Sequence, residues 1–232
     1  MNKIGIIGAM ELEVEALKAE MSVKRIVEKA SMKFYEGTLN QAEVVIVQCG
    51  IGKVNAGICV QILADCFAVT HIINTGVAGS LSAELDIGDL VIGTEAVYHD
   101  MDVTSLGYEI GQVPGMDVRF FPADTAMVEA ARVSCREAVC DITVRTGKIA
   151  SGDQFISSKE AKEHIITAVG GYCTEMEGAA IAHAAYLNRI PFVIIRAISD
   201  KADDSAHMDY PSFEKAAAAH CSALVRDFVT KI

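Results

Sequence analysis

The run Pro191-Phe192-Val193-Ile194-Ile195-Arg196-Ala197-Ile198-Ser199-Asp200 constrains the fold of this chain more than any other segment. Seven of its ten residues are apolar and several are β-branched, the pattern of a strand buried on both faces and therefore covered by other elements above and below. An arginine sits in the middle of it. An unpaired guanidinium in an apolar interior is very costly, so Arg196 requires a carboxylate partner. Asp200 falls where the strand reaches its carboxyl end, the edge at which open α/β sheets bind their ligands. Chemistry is expected at that edge.

Apolar β-branched runs at Ile4–Ile7, Val44–Val47, Ile72–Ile73, Leu90–Ile92 and Phe192–Ile198 alternate with alanine-rich segments of helical spacing, which predicts an α/β fold. The helical segments are Met10–Glu20, Lys53–Cys66, Thr125–Ala138, Ser158–Val169, Met176–Asn188 and Pro211–Val229. Ser157 and Ser158 are suitable N-caps for the fourth, with Glu160 in its first turn. The segment Lys33–Gly37 followed by Glu43–Val45 reads as an antiparallel pair, so the sheet is expected to be mixed. The least regular stretch, Tyr98–Asp124, holds Pro114, Gly115 and Pro122 and has the length of a functional loop. No boundary interrupts the pattern, so residues 1–232 are expected to form one domain.

The charge of the chain limits its partners. A net charge of −11 without Lys/Arg clusters argues against a nucleic-acid partner and favours a small molecule. Polar residues break every apolar run well before the roughly 18 positions of a membrane helix, and Ile4–Ile7 is too short for a signal peptide, so the cytoplasm is expected. The seven cysteines (Cys49, Cys59, Cys66, Cys135, Cys140, Cys173 and Cys221) show no CxxC or CxxH spacing and read as small buried hydrophobes in a reducing compartment.

Several motifs are placed to do chemistry. Gly5-Ile6-Ile7-Gly8-Ala9-Met10 looks like half a dinucleotide fingerprint, but GxGxxG is absent and Glu11 and Glu13 occupy the helix opening where a pyrophosphate would bind. No nicotinamide cofactor is expected. Glu11, Glu13 and Glu15 complement a helix dipole on the plainer reading; Glu13 differs in that a strand-to-helix turn can aim it over the sheet edge. Glycine turns at Cys49-Gly50-Ile51-Gly52-Lys53, Asn74-Thr75-Gly76-Val77-Ala78-Gly79 and Ala150-Ser151-Gly152-Asp153 each follow a strand-like run, and their convergence would build an open pocket. Glu175-Met176-Glu177-Gly178 opens a helix with two carboxylates around a methionine, suited to packing a flat ring and binding hydroxyls. Tyr98-His99-Asp100-Met101-Asp102 has metal-like residues but is assigned to the loop or a subunit contact, and no metal is expected.

Taken in order, Gly-Ala-Met-Glu-Leu-Glu at 8–13, Gly-Ile-Gly-Lys-Val-Asn at 50–55, Asn-Thr-Gly-Val-Ala-Gly at 74–79, Ser-Gly-Asp-Gln-Phe-Ile at 151–156, Glu-Met-Glu-Gly-Ala-Ala at 175–180 and Arg-Ala-Ile-Ser-Asp at 196–200 resemble the 5′-methylthioadenosine/S-adenosylhomocysteine nucleosidases. The similarity runs nearly end to end. It implies a nucleoside phosphorylase-like three-layer αβα fold around a twisted mixed sheet, a homodimer, no cofactor, and hydrolysis of an N-glycosidic bond to release adenine. The same resemblance makes Asp200 the general acid at adenine N7, Glu13 the residue that activates water and Glu177 the ligand of the ribose hydroxyls. Arg196 is expected among these acids, offsetting their repulsion and helping to hold the water. Ser199 is expected to orient Asp200, Met176 and Phe155 to sandwich sugar and base, and the Ile156 backbone to read the adenine edge. Met10, Ile51, Val103, Leu106, Tyr108, Pro114 and Tyr210 would form an apolar slot for the 5′-thio group, some of them given by the neighbouring subunit.

Two positions depart from that pattern. Val77 stands where a serine contacting the water or sugar is expected, and Leu106 stands where an aromatic residue is common. They keep a nucleoside hydrolase of other 5′ specificity, futalosine-type for example, in view, and 5′-deoxyadenosine is a further candidate substrate. A phosphorylase would need phosphate ligands, yet none of the eight arginines lies in the 5–14 or 71–81 turns. A non-catalytic purine sensor of the same fold is disfavoured by the presence of all three carboxylates.

Overall fold

The computed structural model describes residues 2–138 and 142–232, so Cys140 lies outside the described residues. Among the described residues ten strands form one sheet: β1 Lys3–Gly8, β2 Ser22–Lys29, β3 Met32–Leu39, β4 Ala42–Gln48, β5 His71–Ser80, β6 Leu90–Tyr98, β7 Phe121–Pro122, β8 Val144–Ser151, β9 Cys173–Glu175 and β10 Phe192–Asp200. The helices are α1 Glu15–Glu20, α2 Lys53–Phe67, α3 Thr125–Ala138, α4 Lys159–Ala168, α5 Gly178–Asn188 and α6 Ala206–Phe228.

The sheet is mixed, as expected, with β3 and β4 the antiparallel pair read from the sequence. β4, β1, β5 and β10 lie side by side and parallel, so their carboxyl ends share one edge. The sheet is not open throughout. β10 pairs in parallel with β5 and antiparallel with β6, while β6, β8, β9 and β5 pair in turn, so one half of the sheet closes on itself. Closure removes the unpaired edge β10 would otherwise present, and all nine of its residues are buried.

Residues alternate between the two faces with the two-residue period of a strand. Ile7, Val45, Val47, Ile72 and Ile194 pack with α2 and α5 on one side. Ile4, Ile6, Val44, Ile46, Ile73, Val193 and Ile195 pack with α3 and α6 on the other. That is the three-layer αβα arrangement, and it explains why the strands read as nearly continuous apolar runs. No helix among the described residues is long and apolar enough to cross a membrane.

Three helices start two or more residues away from the position read in the sequence; the other boundaries agree to within one residue. The Met10–Glu20 segment splits into a 3₁₀ turn at Glu11–Glu13 and the short α1, because the Glu13 carboxylate folds back onto the N–H groups that precede it. α5 starts at Gly178 instead of Met176, with Glu177 in the N-cap position at φ −130°. α6 begins five residues before Pro211. Side-chain bonds at its start, Ser205 Oγ to Asp209 and the Ser205 N–H to Asp203, hold this first turn despite the missing proline N–H. α4 follows Ser158, whose Oγ accepts the Ala161 N–H at 3.2 Å.

Candidate active site

The shared carboxyl edge of β1, β4, β5 and β10 opens onto a cavity of about 320 Å³. Glu13 arrives from the turn after β1, Ile51 from the turn after β4, Val77 and Gly79 from β5, and Ser199 and Asp200 from the end of β10. Phe155 follows β8, Met176 and Glu177 follow β9, and Tyr210 lies on the first turns of α6. Met10 completes the set of sequence-selected residues that line the cavity. Ala9, Ala78, Thr174 and Glu175 line it as well.

Glu13 is held entirely by backbone donors. Its Oε2 accepts the N–H groups of Ala9 (2.7 Å) and Met10 (3.0 Å), and its Oε1 accepts that of Val77 at 3.0 Å. Burial raises its pKa above the ordinary carboxylate value, against the opposing pull of Arg196 and these N–H groups. Glu11 and Glu15 point to solvent, so among the three acids of this segment the turn delivers only Glu13 inward.

Asp200 accepts Ser199 Oγ at 2.9 Å on one oxygen and the Ala202 N–H at 2.8 Å on the other. Ala202 adopts φ 51°, a left-handed turn that brings its N–H back to the carboxylate. Burial raises the Asp200 pKa, with the hydrogen bonds acting in the opposite direction. Glu177 Oε1 accepts the Gly52 N–H at 2.7 Å. Burial first, then the charge of Glu175, pushes the Glu177 carboxyl up to about 8. A carboxyl set with pKa values above the usual range can hold and move protons near neutrality.

The apolar lining groups at one end. The Tyr210 hydroxyl donates to the Met10 sulfur at 3.2 Å, and the Phe155 ring lies edge-on to Tyr210 with centroids 5.6 Å apart. The Gly50–Lys53 turn is clasped from outside: Lys53 Nζ meets Asp100 Oδ2 at 2.5 Å, and the Lys53 N–H meets Asp153 Oδ1 at 2.9 Å. Asp100 thus serves an ion pair, and no metal-ligating group of three occurs among the described residues.

Arg196 lies among the acids, and the charges of Glu175, Glu13 and Glu177 all act on it. It is buried in the strand beneath the cavity and does not line it; its guanidinium is paired with Glu175 and donates to Asn74 Oδ1 at 2.6 Å. The partner required by the sequence is therefore Glu175, not Glu13, Glu177 or Asp200. Glu175 is visible as one of the two acids flanking Met176, but nothing in linear spacing distinguishes the acid that pairs with Arg196 from the one that does not. Asn74 and Ser151, which complete this network, carried no signal of their own.

Other selected residues lie apart from the cavity. The Ile156 side chain packs with Leu81, Val97, Ala150 and Ile165. Val103, Leu106, Tyr108 and Pro114 sit in the irregular segment after β6 and do not line the cavity of the same chain. Leu106 is 71% exposed, in a 3₁₀ turn at Thr104–Leu106. Among the described cysteines one departs from the expected burial: Cys66 is exposed, with its sulfur 3.1 Å from Lys29 Nζ.

The half-closed sheet and the carboxylate-rich cavity at its edge define a protein of the phosphorylase superfamily, whose sequence model matches residues 3–230. A 5′-methylthioadenosine/S-adenosylhomocysteine nucleosidase of Anoxybacillus flavithermus is 43% identical over 99% of this chain and 98% of its own. The crystal structure of the Neisseria meningitidis nucleosidase of that name, in complex with methylthio-immucillin-A, superposes with a TM-score of 0.96 at 39% identity and covers 100% of both chains. The futalosine hydrolase of Helicobacter pylori superposes with a TM-score of 0.94 at 30% identity, over 100% of this chain and 98% of its own. The chain belongs to the 5′-methylthioadenosine/S-adenosylhomocysteine nucleosidase family.

Proposed function

We propose that this protein hydrolyses the N-glycosidic bond of 5′-methylthioadenosine and S-adenosylhomocysteine, releasing adenine and the 5′-thio-ribose. The observation that carries the reading is the meeting of Glu13, Glu177 and Asp200 in one cavity whose described lining contains no Lys or Arg. Phosphorolysis requires a cationic or densely N–H-lined phosphate subsite, and hydrolysis does not. The full-length similarity to nucleosidases of this name supports the same choice.

In this reading Asp200, protonated because burial raises its pKa, donates to adenine N7. The electron pair of the breaking C1′–N9 bond then leaves with a neutral base instead of an anion. The sugar is left with oxocarbenium character, which the nearby carboxylates lower in energy. Glu13 takes the proton of the water that attacks C1′, its carboxylate aimed by three backbone N–H groups. Glu177 accepts the ribose hydroxyls, and Ser199 keeps Asp200 in line. Met176 and Phe155 pack against sugar and base, with the Ile156 backbone at the adenine edge. Arg196 acts from below by the field of its charge on Glu13 and Glu177, held in place by its pairing with Glu175. General acid catalysis contributes roughly 10²–10⁴-fold, and stabilisation of the cation supplies most of the remainder.

The apolar end formed by Met10, Ile51, Val77 and Tyr210 receives the 5′-thio group. Val103, Leu106, Tyr108 and Pro114 close that slot from the neighbouring subunit of a homodimer, which accounts for an exposed leucine on an irregular loop. The whole chain acts as one catalytic domain, without cofactor, in the cytoplasm. The test is a substrate panel: purified protein should release adenine from methylthioadenosine and adenosylhomocysteine and leave inosine intact. Release of the base from futalosine with no adenine from either thio-nucleoside would overturn the assignment.

A further inference from the structure

Among the described residues Glu175 accepts more hydrogen bonds than any other carboxylate, and the reaction proposed above gives it no part beyond its pairing with Arg196. It is 7% exposed and accepts from four donors: Ser151 Oγ, Arg196 Nη2, the Glu177 N–H at 3.1 Å and the Gly178 N–H at 2.8 Å. The last two are free N–H groups of the α5 N-terminus, which welcome a negative charge. Ser151 also accepts the Ala179 N–H at 2.7 Å, so β8, β9, β10 and α5 meet at this one side chain. A Cβ at Gly178 would lie 2.9 Å from Glu175 Oε1, so the helix start leaves no room for a side chain between itself and the carboxylate.

Two consequences follow from this geometry. The turn from Glu175 to Gly178 is fixed by a carboxylate at its own base, so the direction in which Glu177 leaves the turn is fixed too. The one guanidinium beneath the cavity is bonded to Glu175 and Asn74, and is thereby kept from pairing with Glu13 or Glu177. Burial opposes ionisation of Glu175, but Arg196, Ser151 and the Gly178 N–H outweigh it and hold the carboxyl below the usual range. We propose that Glu175 is a positioning residue for the nucleosidase reaction: it presents Glu177 to the ribose and holds Arg196 beneath the floor, away from Glu177.

The groups that face Glu177 are Glu175 from β9, Glu13 from the 3₁₀ turn, Arg196 from β10, Cys49 from the end of β4 and the Gly52 N–H. Glu175 in turn faces Arg196, Ser151, Cys173 and His99. Removing the charge of Glu175 leaves the effect of burial on Glu177 but deletes the repulsion that adds to it, and frees Arg196 to attract Glu177. Both changes act in one direction and favour the ionised form of Glu177.

The inference rests on the proposed reaction for its meaning, but its first readout needs no turnover. Carboxyl-carbon NMR titrations of wild type and Glu175→Gln, with Glu177→Gln used to assign the signal, should show the Glu177 midpoint falling from about 8 by at least about one pH unit. In parallel, the pH below which KM for methylthioadenosine rises should move down by the same amount, while inhibition by free adenine, which carries no ribose, stays in place. An unmoved midpoint overturns the proposal whether or not adenine is released; absence of adenine release by wild type overturns only the reaction. Where Glu175→Gln does not fold, Glu175→Asp decides: it keeps the charge and withdraws it from the α5 N-terminus. KM raised several-fold with the midpoint unmoved supports positioning, and any other pattern contradicts it.

Discussion

The Glu13 carboxylate accepts the backbone N–H of Val77 at 3.0 Å, so the side chain assigned to activate water is tied across the sheet edge, from the turn after β1 to the middle of β5. The bond uses the main chain of residue 77. A serine is expected there by resemblance and a valine is present, yet the anchor on Glu13 is independent of that difference.

The residue before it makes the tie possible. A Cβ on Gly76 would run into Glu13 Oε1, 2.8 Å from Cδ and 3.2 Å from Arg196 Nη1. Gly76 lies in a strand and needs no left-handed backbone, so the cost of Gly76→Ala falls on the position of Glu13. We expect kcat to drop by about 10²-fold, the usual penalty for a misplaced catalytic group, with a far-UV circular dichroism spectrum like that of wild type. Unchanged turnover would show that Glu13 is not needed where it stands.

Glu177 couples the site to stability. Its folded-state pKa of about 8 lies above the ordinary 4.5, so the fold favours the protonated form. That contribution is complete below about pH 4.5 and is lost as pH rises through about 8. Glu177→Gln, which cannot ionise, should therefore melt at least about 2 °C above wild type at about pH 9, with the gap closing toward about pH 5. Parallel melting curves across that range would contradict the raised carboxyl.

Asp200→Asn can keep the Ala202 N–H bond on its amide oxygen and donate its NH2 to Ser199 Oγ, but cannot deliver a proton to the leaving base. Adenine release should fall by roughly 10²–10⁴-fold while adenine still inhibits, which separates loss of acid catalysis from loss of the site. Equal losses of turnover and of adenine binding would make Asp200 a binding residue only.

The sequence makes the strands legible wherever both faces are covered, because β1, β4 and β10 carry unbroken apolar stretches at Ile4–Ile7, Val44–Val47 and Phe192–Ile195. β2 escaped notice, since most of its eight residues are exposed and it shows no apolar run. The closure of the sheet through β10, β6, β8, β9 and β5 was not legible either, as it depends on pairings between residues far apart in the chain. In the cavity, Asp200 stands out at a strand end, Glu13 in a strand-to-helix turn and Glu177 at a helix opening, while their separate roles come from the family resemblance. The Arg196–Glu175 pair was legible by half: burial demanded a carboxylate, but which one is decided by the side of the β9–α5 turn that faces β10. The loop holding Val103, Leu106, Tyr108 and Pro114 is the least determined by sequence, because the proposed surface it would cover belongs to another copy of the chain.

Hydrolysis, as opposed to phosphorolysis, is tested most directly by the rate of adenine release from 5′-methylthioadenosine as phosphate is titrated from zero into phosphate-free buffer. A cavity with four carboxylates and no cation in its described lining predicts full release at zero phosphate and a rate that phosphate leaves unchanged. Release that starts only with phosphate, and rises in proportion to it, would contradict the water site built on Glu13.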